Sequence, residues 1–376
     1  MHDSKNHGII SSNTENSGAL PGSPVFRQEE YMDLTFTRPE AADARRLSPY
    51  FTLRPNKTCD SGVLNTFLWT DYYKIEYCIV DERALLFLMR NGDEVFASMP
   101  YCREEELRKY FMLEEKYFNE VLGKPFKIYL ADEEGVQLLG LCRDQRYIVR
   151  EETDFRDYLY DAEALRTLSG KKYHKKKNQV SRFQREYQDR WEYRTLDCSD
   201  KLMVWDFLDR WYLNHENAEN VEDGGESLEY EVRGIHGVLN NCALLDFRIG
   251  GIFIDGRLEA FSMGAYNPVE KMACIDIEKG NPEIPGIYQV INQQFLLHEF
   301  PDAVLVNRED DVGLPGLRHA KESYHPVGYE RKYMVLQKDF QGYELELTDK
   351  YESEVLQYGS QDPQDAGGKE QDEGAV

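Results

Sequence analysis

The chain has 376 residues and a formal net charge of −24, with 41% hydrophobic and 12% aromatic residues. This composition supports packed cores and excludes wholesale disorder, and the length is sufficient for two domains. An acidic surface repels nucleic acid and anionic membranes at long range, so an anionic partner must meet a local basic patch.

Localisation signals favour the cytoplasm. The longest apolar run, residues 84–89, is far too short to span a bilayer, and the polar N-terminal region carries no secretory signal. The seven cysteines are dispersed without a CxxC pair, which gives little support for zinc and is typical of a reducing compartment. We therefore predict a cytoplasmic protein with no metal site and no transmembrane segment, whose membrane contact is at most peripheral.

Both ends of the chain lack a regular apolar pattern. Residues 1–30 are polar and contain glycine and serine, whereas residues 345–376 are acidic and lose almost all apolar content after Gly359. Segments of this kind cannot bury enough apolar surface to fold. We predict a disordered arm at 1–30 and an acidic disordered tail at 345–376.

The first folded block, residues 33–165, contains both helix and strand patterns. One helix is predicted near 39–48 and another near 103–121, whose first turn is acidic. The strand candidates are residues 77–80, 84–89, 95–98, 127–130 and 147–149. This order predicts a mixed sheet with helices packed on it.

A basic segment at 166–190 follows. Tyr173, Val180 and Phe183 recur at near-helical spacing, which predicts an amphipathic helix. The candidate anion ligands are Lys171, Lys172, Lys175, Lys176, Lys177 and Arg182. We predict binding of phosphate, a lipid headgroup or RNA, because phosphate contacts need Lys or Arg. A solvated helix that balances acidic neighbours is the alternative.

The second block, residues 191–335, also has an α/β pattern. Two strands within 250–266 are predicted around Asp255 and Gly256, a strong hairpin signal. Further strands are predicted at 272–277 and 304–306, and helices at 203–213, 228–241, 287–298 and 314–324. Because a helix connects them, strands 272–277 and 304–306 should be parallel neighbours.

Carboxylates mark the end of one of these strands. Asp276 and Glu278 are two residues apart, so both should face the same side of the strand. A carboxylate in a closed cleft can act as a general base on an amine, and an acidic pocket can hold an ammonium group. Two solvent-facing side chains on an edge strand are the alternative.

Five polar residues follow the last apolar strand, at 307–311, before glycines and a helix that Pro326 ends. Ligands of open α/β sheets bind at the carboxyl ends of strands, where such loops lie. This concentration of Asn, Arg, Glu and Asp therefore indicates a site, although a solvated loop before an acidic helix start is the alternative.

Residues 275–326 resemble the family of bacterial proteins related to the C-terminal, catalytic part of phosphatidylglycerol lysyltransferases, also described as a domain of unknown function. The resemblance rests on Ile-Asp-Ile-Glu-Lys-Gly at 275–280, Gly-Ile-Tyr-Gln-Val-Ile-Asn at 286–292, the loop and helix at 307–326, and the basic stretch at 170–183. It covers about 33–335 and implies an α/β fold with mixed sheets in two tandem acetyltransferase-like (GNAT) halves, as in Fem-type aminoacyl transferases.

The resemblance implies a transfer reaction but leaves the donor open between aminoacyl-tRNA and acyl-coenzyme A. Acetyltransferases of this fold hold the coenzyme A pyrophosphate with a glycine-rich loop before a helix. Here residues 279–288 contain two prolines, which remove amide donors, and Glu283, which adds negative charge. The loop therefore argues against acetyl-coenzyme A, whereas the resemblance implies an aminoacyl-tRNA as donor, with tRNA as a candidate partner.

We predict an acyl- or aminoacyltransferase that acts on an amine or hydroxyl, with Glu278 or Glu309 as the catalytic base. The predicted substrate ligands are Asp276, Tyr288, Asn292, Asn307, Arg308, Asp310, Lys321, Ser323 and Tyr324. Arg308 would pair with a carboxylate or phosphate. The alternative is a non-catalytic module that uses the same cleft to sense an amino acid, a nucleotide or another small anion.

Overall fold

The structure is a computed structural model that describes residues 34–216, 225–338 and 340. The predicted arm at 1–30 and tail at 345–376 lie outside these residues. Within the described part of the chain, no helix is long and apolar enough to cross a bilayer.

Two mixed sheets organise the described residues, which confirms the predicted fold class. The first has the spatial order β1 (Glu76–Val80), β2 (Ala84–Asn91), β3 (Glu94–Ala97), β4 (Lys127–Asp132), β13 (Lys332–Gln337) and β5 (Tyr147–Glu151). The second has the order β12 (Gly328–Glu330), β6 (Asp157–Asp161), β11 (Leu305–Asn307), β10 (Met272–Gly280), β9 (Arg257–Asn267), β8 (Arg248–Ile254) and β7 (Trp191–Leu196).

Helices connect and cover these strands. The α-helices are α1 (Ala44–Leu47), α2 (Val63–Trp69), α3 (Leu107–Lys116), α4 (Glu133–Leu139), α5 (Ala162–Thr167), α6 (His174–Glu186), α7 (Lys201–Glu216), α8 (Gly225–Asn240), α9 (Ile287–Glu299) and α10 (Pro315–Glu322). Short 3-10 turns flank α1, precede α3 and α6, and a π-helical turn at Tyr117–Leu122 follows α3. The predicted helix near 103–121 is therefore three consecutive segments with different hydrogen-bond patterns.

Strands β6 and β13 each join a sheet that is remote from them in sequence. Strand β13, at the end of the described chain, lies between β4 and β5 in the first sheet and is antiparallel to both. Strand β6, which precedes the basic segment, pairs with β11 and β12 in the second sheet. Asp157 at the start of β6 and Lys332 at the start of β13 therefore meet where the two sheets adjoin.

The predicted parallel pairing of strands at 272–277 and 304–306 is confirmed. Strands β10 and β11 are parallel, with Cys274 opposite Asn307, and α9 forms the crossover. The predicted hairpin is also confirmed, because β8 and β9 pair through Ile254 and Arg257 around two residues with positive φ. The polar residues that follow β10 and β11 consequently lie at one edge of the second sheet.

Both faces of the second sheet are covered by helices. On one face, Phe183 of α6 and Phe295 of α9 pack with Ile275. On the other, α7 and α8 bury Phe207 and Ile235 in a separate apolar cluster. Burial on both sides explains why β8, β9 and β10 are nearly continuous apolar runs rather than alternating patterns.

One expectation about the cysteines is wrong. Cys198 and Cys242 form a disulfide, whereas the dispersed cysteines were interpreted as typical of a reducing compartment. The pair is separated by 44 residues in sequence, and packing of the segments around α7 and α8 brings the two Cα atoms to 5.6 Å. The spacing of the cysteines along the chain did not indicate that Cys198 and Cys242 would lie close together. The remaining five cysteines are free, and four of them are buried.

Candidate functional site

An ion pair lies where β10 ends and the loop after β11 begins. Arg308 donates to a Glu278 carboxylate oxygen at 3.0 Å, and Asn292 of α9 donates to the other at 3.1 Å. The Arg308 and Glu278 side chains are only 12% and 14% exposed. Because β10 and β11 are parallel neighbours, these residues meet although 30 positions separate Glu278 from Arg308. Three of the predicted site residues therefore form one hydrogen-bonded group.

Aromatic rings and a lysine surround this group. The guanidinium of Arg308 lies 4.8 Å from the centre of the Tyr324 ring, and the ammonium of Lys176 lies 4.0 Å from it. Burial and then repulsion by Arg308 lower the pKa of Lys176 to about 8. The Nη1 atom of Arg308 is buried and has no hydrogen-bond partner among the described residues. Lys176 and Arg308 therefore present positive charge, with one unused donor, beside a single carboxylate.

The other basic residues of the segment differ from Lys176 in position. Lys171 and Lys172 lie in a 3-10 turn before α6 and are exposed, as are Lys175, Lys177 and Arg182 on the helix itself. Val180 and Phe183 bury the opposite face of α6, as the apolar spacing predicts. The segment is thus an amphipathic helix whose basic side is accessible. Among the predicted anion ligands, only Lys176 lies beside the hydrogen-bonded set of Arg308, Glu278 and Asn292, which we call the Arg308 group.

A second cluster of charges lies deeper, at the junction of the two sheets. The ammonium of Lys332 is fully buried and lies 2.7 Å from carboxylate oxygens of both Asp60 and Asp157. It also lies 3.7 Å from Asp310 and 3.3 Å from the Cys59 thiol. Burial alone would lower the pKa of Lys332, but Asp157 and Asp60 outweigh it and hold the value well above its usual range.

Three side chains around Lys332 have the spacing of metal ligands. Cys59, Asp60 and Asp157 place one ligand atom each within 4.8 Å of one another, a spacing that could hold an ion. The Lys332 ammonium contacts all three side chains and supplies the positive charge that a metal would provide. The group is therefore a buried ion cluster with its own cation.

The loop after β11 connects the two charge clusters. Asn307 is fully buried and donates to the Lys57 carbonyl at 2.7 Å and to Asp157 at 2.9 Å, while its own amide oxygen accepts from the backbone of Glu309. Glu309 has a φ of 55°, in the left-handed region that non-glycine residues seldom occupy. Asn307 therefore holds the loop, and its side chain is committed to protein contacts rather than to a ligand.

The buried side chains of this loop have shifted pKa values. Burial, followed by repulsion from Asp276, raises the pKa of Glu309 well above its usual range. Burial also raises the pKa of Asp310 to about 6 and lowers that of Lys321. Lys321 donates to the backbone carbonyls of Arg308 and Asp310 and so fixes the course of the loop. Perturbed carboxyl groups in a cleft are typical of proton-transfer sites.

Asp276 lies at an irregularity of its strand. A β-bulge between Ile275 and Ile277 interrupts the alternation of β10, so the premise that Asp276 and Glu278 share a face does not hold here. Asp276 is buried, its Oδ2 atom has no hydrogen-bond partner among the described residues, and burial raises its pKa well above the usual range. Its charged neighbours are Asp157 and Asp60, which belong to the deeper cluster.

Two predicted ligands instead satisfy nearby backbone. The Tyr288 hydroxyl donates to the carbonyl of Gly280 at 2.9 Å, and the Ser323 hydroxyl donates to that of Ala320 at 2.6 Å. The first contact closes the loop between β10 and α9, and the second lies in the last turn of α10. Their hydroxyls support the walls of the site.

Sequence reasoning missed Asp60, Asp157 and Lys332. Asp157 begins an apolar strand, and Lys332 lies in a strand that the predicted pattern did not include. A lone charge at the edge of an apolar run was the only signal available. The contacts depend on β6 and β13 joining sheets that are distant from them in sequence.

Comparison with known proteins gives a family and a fold. The family model described as phosphatidylglycerol lysyltransferase, C-terminal, matches residues 51–336. An uncharacterized protein of Mycoplasmoides gallisepticum is 25% identical over 214 residues, which cover 55% of this chain and 64% of that protein. The chain therefore matches less than two thirds of the length of this curated relative.

Two solved structures resemble the whole described fold. A conserved protein of unknown function from Bacteroides thetaiotaomicron is 26% identical, with a TM-score of 0.72 over 81% of this chain and all of that one. L-PGS from Bacillus licheniformis is 17% identical, with a TM-score of 0.56 over 79% of this chain and 93% of that one. At such low identity the second likeness concerns the fold alone.

Proposed function

The chain belongs to the family of phosphatidylglycerol lysyltransferase C-terminal domains, and from this we propose that it is an aminoacyltransferase. It transfers an aminoacyl group from an anionic donor to an amine or hydroxyl acceptor. The observation that carries the proposal is the Glu278–Arg308 pair at the ends of two parallel strands, with Lys176 beside it. This arrangement supports binding of an anionic donor next to carboxyl groups that can move a proton.

The two predicted catalytic carboxylates have different roles in this proposal. Both oxygens of Glu278 accept hydrogen bonds, from Arg308 and Asn292, so Glu278 orients Arg308. Glu309 is half-buried, and desolvation raises its pKa, which makes its carboxylate form a stronger base towards the attacking amine or hydroxyl. Arg308, through its unpartnered Nη1, would bind a phosphate or carboxylate of the donor.

We favour aminoacyl-tRNA over acyl-coenzyme A as donor. A Cβ atom at Gly286 would lie 2.9 Å from the carbonyl oxygen of Gln179, so the loop before α9 packs closely against α6. The same loop contains Pro282 and Pro285, which lack amide donors. The glycine at the start of α9 thus serves helix packing, and a pyrophosphate would find neither space nor the usual donors there. The exposed basic side of α6 suits the sugar-phosphate backbone of tRNA instead.

The division of the chain and its location complete the proposal. Halves at 33–165 and 191–335, joined by the basic segment at 166–190 and contributing β6 and the start of β13 to each other's sheets, would bring the donor against α6 and the acceptor against the loop after β11. Use of charged tRNA would place the reaction in the cytoplasm. Any membrane contact would be peripheral, through the same basic side of α6.

The proposal is tested by following label from two donors. The full chain is incubated with tRNA charged with radiolabelled amino acids and, separately, with labelled acetyl-coenzyme A, in an extract that supplies acceptors. We expect transfer from charged tRNA that is lost in Arg308→Ala. Transfer from coenzyme A alone would contradict the choice of donor. Retention of a small ligand with no transfer from either donor would contradict the enzymatic role and favour the binding module.

A further inference from the structure

The junction between the two sheets contains more acidic than basic side chains. The buried or half-buried carboxyl groups that influence one another there are Asp60, Asp157, Asp276, Glu309 and Asp310. Among the described residues, the lysines with which they interact are Lys321 and Lys332. The five carboxyl groups outnumber the two ammonium groups, and burial together with this imbalance raises the pKa values of Asp276, Glu309 and Asp310.

One carboxyl oxygen at this junction lacks a hydrogen-bond partner among the described residues. Asp276 is 6% exposed, and its Oδ2 atom has no hydrogen-bond partner in the described part of the chain. Buried polar atoms of folded proteins nearly always have a hydrogen-bond partner. Beyond burial, the charged groups that raise the pKa of Asp276 are Asp157 and Asp60. An unused acceptor at an acidic junction therefore favours a ligand that carries N–H donors.

An aromatic cavity of about 70 Å³ adjoins this cluster in the first half. Trp69, Tyr73, Phe96 and Tyr129 line it together with Asp60, which itself contacts Lys332. Three of the rings contact one another, since the centre of the Phe96 ring lies 6.0 Å from that of Tyr73 and 5.6 Å from that of Tyr129. No Lys or Arg is among the residues that line the cavity. Aromatic faces and a carboxylate attract ammonium groups, whereas they repel phosphate.

The cavity and the Arg308 group form two electrostatically different ends of the site. Burial raises the pKa of Tyr129, with further contributions from Glu152, Asp310 and Asp60. Burial lowers the pKa of Lys176, and Arg308 lowers it further. The loop after β11 spans both ends, because Arg308 faces Glu278 and Asp310 faces Lys332. An anionic donor and a cationic acceptor could thus bind near different residues of the same loop.

We propose that the acceptor of the transferred group is a small primary amine, bound as an ammonium ion by the aromatic cavity and by Asp60. This inference rests on the transfer reaction proposed above and narrows its acceptor from an amine or hydroxyl to an amine. An anionic lipid headgroup does not suit the cavity, because no Lys or Arg lines it and Lys332, the cation beside Asp60, is already paired with Asp60 and Asp157.

The chemistry of such an acceptor fits the adjoining carboxyl groups. The bound ammonium first loses one proton to a carboxylate of the cluster, with Glu309 or Asp310 as the acceptor. The neutral nitrogen then forms a bond to the carbonyl carbon of the donor ester, and the bond from that carbon to the ester oxygen breaks. The second proton passes from the nitrogen to the leaving hydroxyl oxygen, so the products are an amide and a free hydroxyl.

The proposal is tested by binding alone, with no donor present. The full chain is titrated with n-propylamine at neutral pH and with 1-propanol, which has a similar shape but no charge, by ligand-observed NMR. We expect n-propylammonium to bind about tenfold more tightly, the effect of one cation–π contact with a carboxylate nearby. Asp60→Asn and Tyr73→Leu should each lose about this factor. Tyr72→Leu is the matched control, because Tyr72 contacts Tyr73 but does not line the cavity.

The amine subsite and the proposed transferase function can fail independently. Equal affinity for the amine and the alcohol, unchanged affinity in folded Asp60→Asn, or displacement of the amine by phosphatidylglycerol vesicles would overturn it. If Asp60→Asn fails to fold by circular dichroism, Tyr73→Leu decides the result. Selective amine binding without label transfer from charged tRNA would support the subsite and contradict the transferase. Transfer to a hydroxyl acceptor without amine binding would support the transferase and contradict the amine subsite.

Discussion

Lys332 and Asp157 form a fully buried ion pair, with 2.7 Å between the ammonium nitrogen and a carboxylate oxygen and no exposure of either side chain. Lys332 belongs to the first sheet and Asp157 to the second, so the pair joins the two sheets at the point where Asp60 and Asp310 converge. Removal of one partner would leave the other charge in the interior, where solvation is poor.

We therefore expect Lys332→Met to destabilise the protein by about 3–5 kcal/mol, the usual cost of breaking a buried pair. The measurement is the free energy of unfolding in urea, followed by circular dichroism. Lys109→Met is the control, because Lys109 pairs with Asp81 at the surface and should cost less than about 1 kcal/mol. Similar losses in the two variants would show that the buried pair has no special weight.

Replacement of Glu309 by glutamine should reduce turnover by roughly two to four orders of magnitude, the usual range for loss of a general base. Glutamine keeps the size of the side chain but cannot accept the proton, so KM should change far less. Steady-state transfer from charged tRNA measures both quantities. An unchanged kcat would exclude Glu309 as the base.

Glu278→Gln should have the opposite signature. Glu278 holds Arg308 and Asn292 through separate oxygens, so its loss misplaces the group that binds the donor. We expect KM for the donor to rise about tenfold or more, with a smaller change in kcat, since a lost charge-assisted hydrogen bond costs about 1.5–3 kcal/mol. Arg308→Lys should raise KM as well, because lysine lacks the bidentate fork. A pure loss of kcat in Glu278→Gln would instead make Glu278 the base.

The basic segment should divide into two functional parts. Lys175 and Lys177 are exposed, so the double change to glutamine should weaken tRNA binding and reduce its dependence on salt while leaving thermal stability nearly unchanged. Lys176→Gln should instead affect transfer even with short acylated RNA fragments, because Lys176 contacts Tyr324 beside Arg308. Filter binding at several salt concentrations separates the two effects. Unfolding of the double variant would show that the segment is a structural counter-charge.

Asp310 should make the free energy of unfolding fall as pH rises from about 4 towards neutrality. Burial raises the pKa of Asp310 to about 6, above its ordinary value of 3.8. The folded state thus binds this proton more tightly than the unfolded state, so the contribution is fully present below pH 3.8 and is lost as pH rises through 6. The difference corresponds to roughly 3 kcal/mol. Asp310→Asn should remove this part of the pH dependence of urea unfolding; an unchanged slope would contradict the assignment.

Local sequence patterns determined several elements of this fold and the edge at which the candidate site lies. The hairpin at Asp255 and Gly256 and the parallel strands before Glu278 and Asn307 depend on short-range geometry and on a helical crossover, which leave few alternatives. Sequence also located the Arg308 group, because residues that follow neighbouring parallel strands must meet.

Only the tertiary structure decided how the charges of this site are partnered. Lys332 and Asp157 meet because β13 and β6 join sheets that lie far from them in sequence, and pairing of such strands depends on the packing of the whole fold. The bulge in β10 likewise separates Asp276 from the alternation that places Glu278. Burial then sets the protonation of Glu309 and Asp310, since the cost of a buried charge depends on neighbours that no local pattern records.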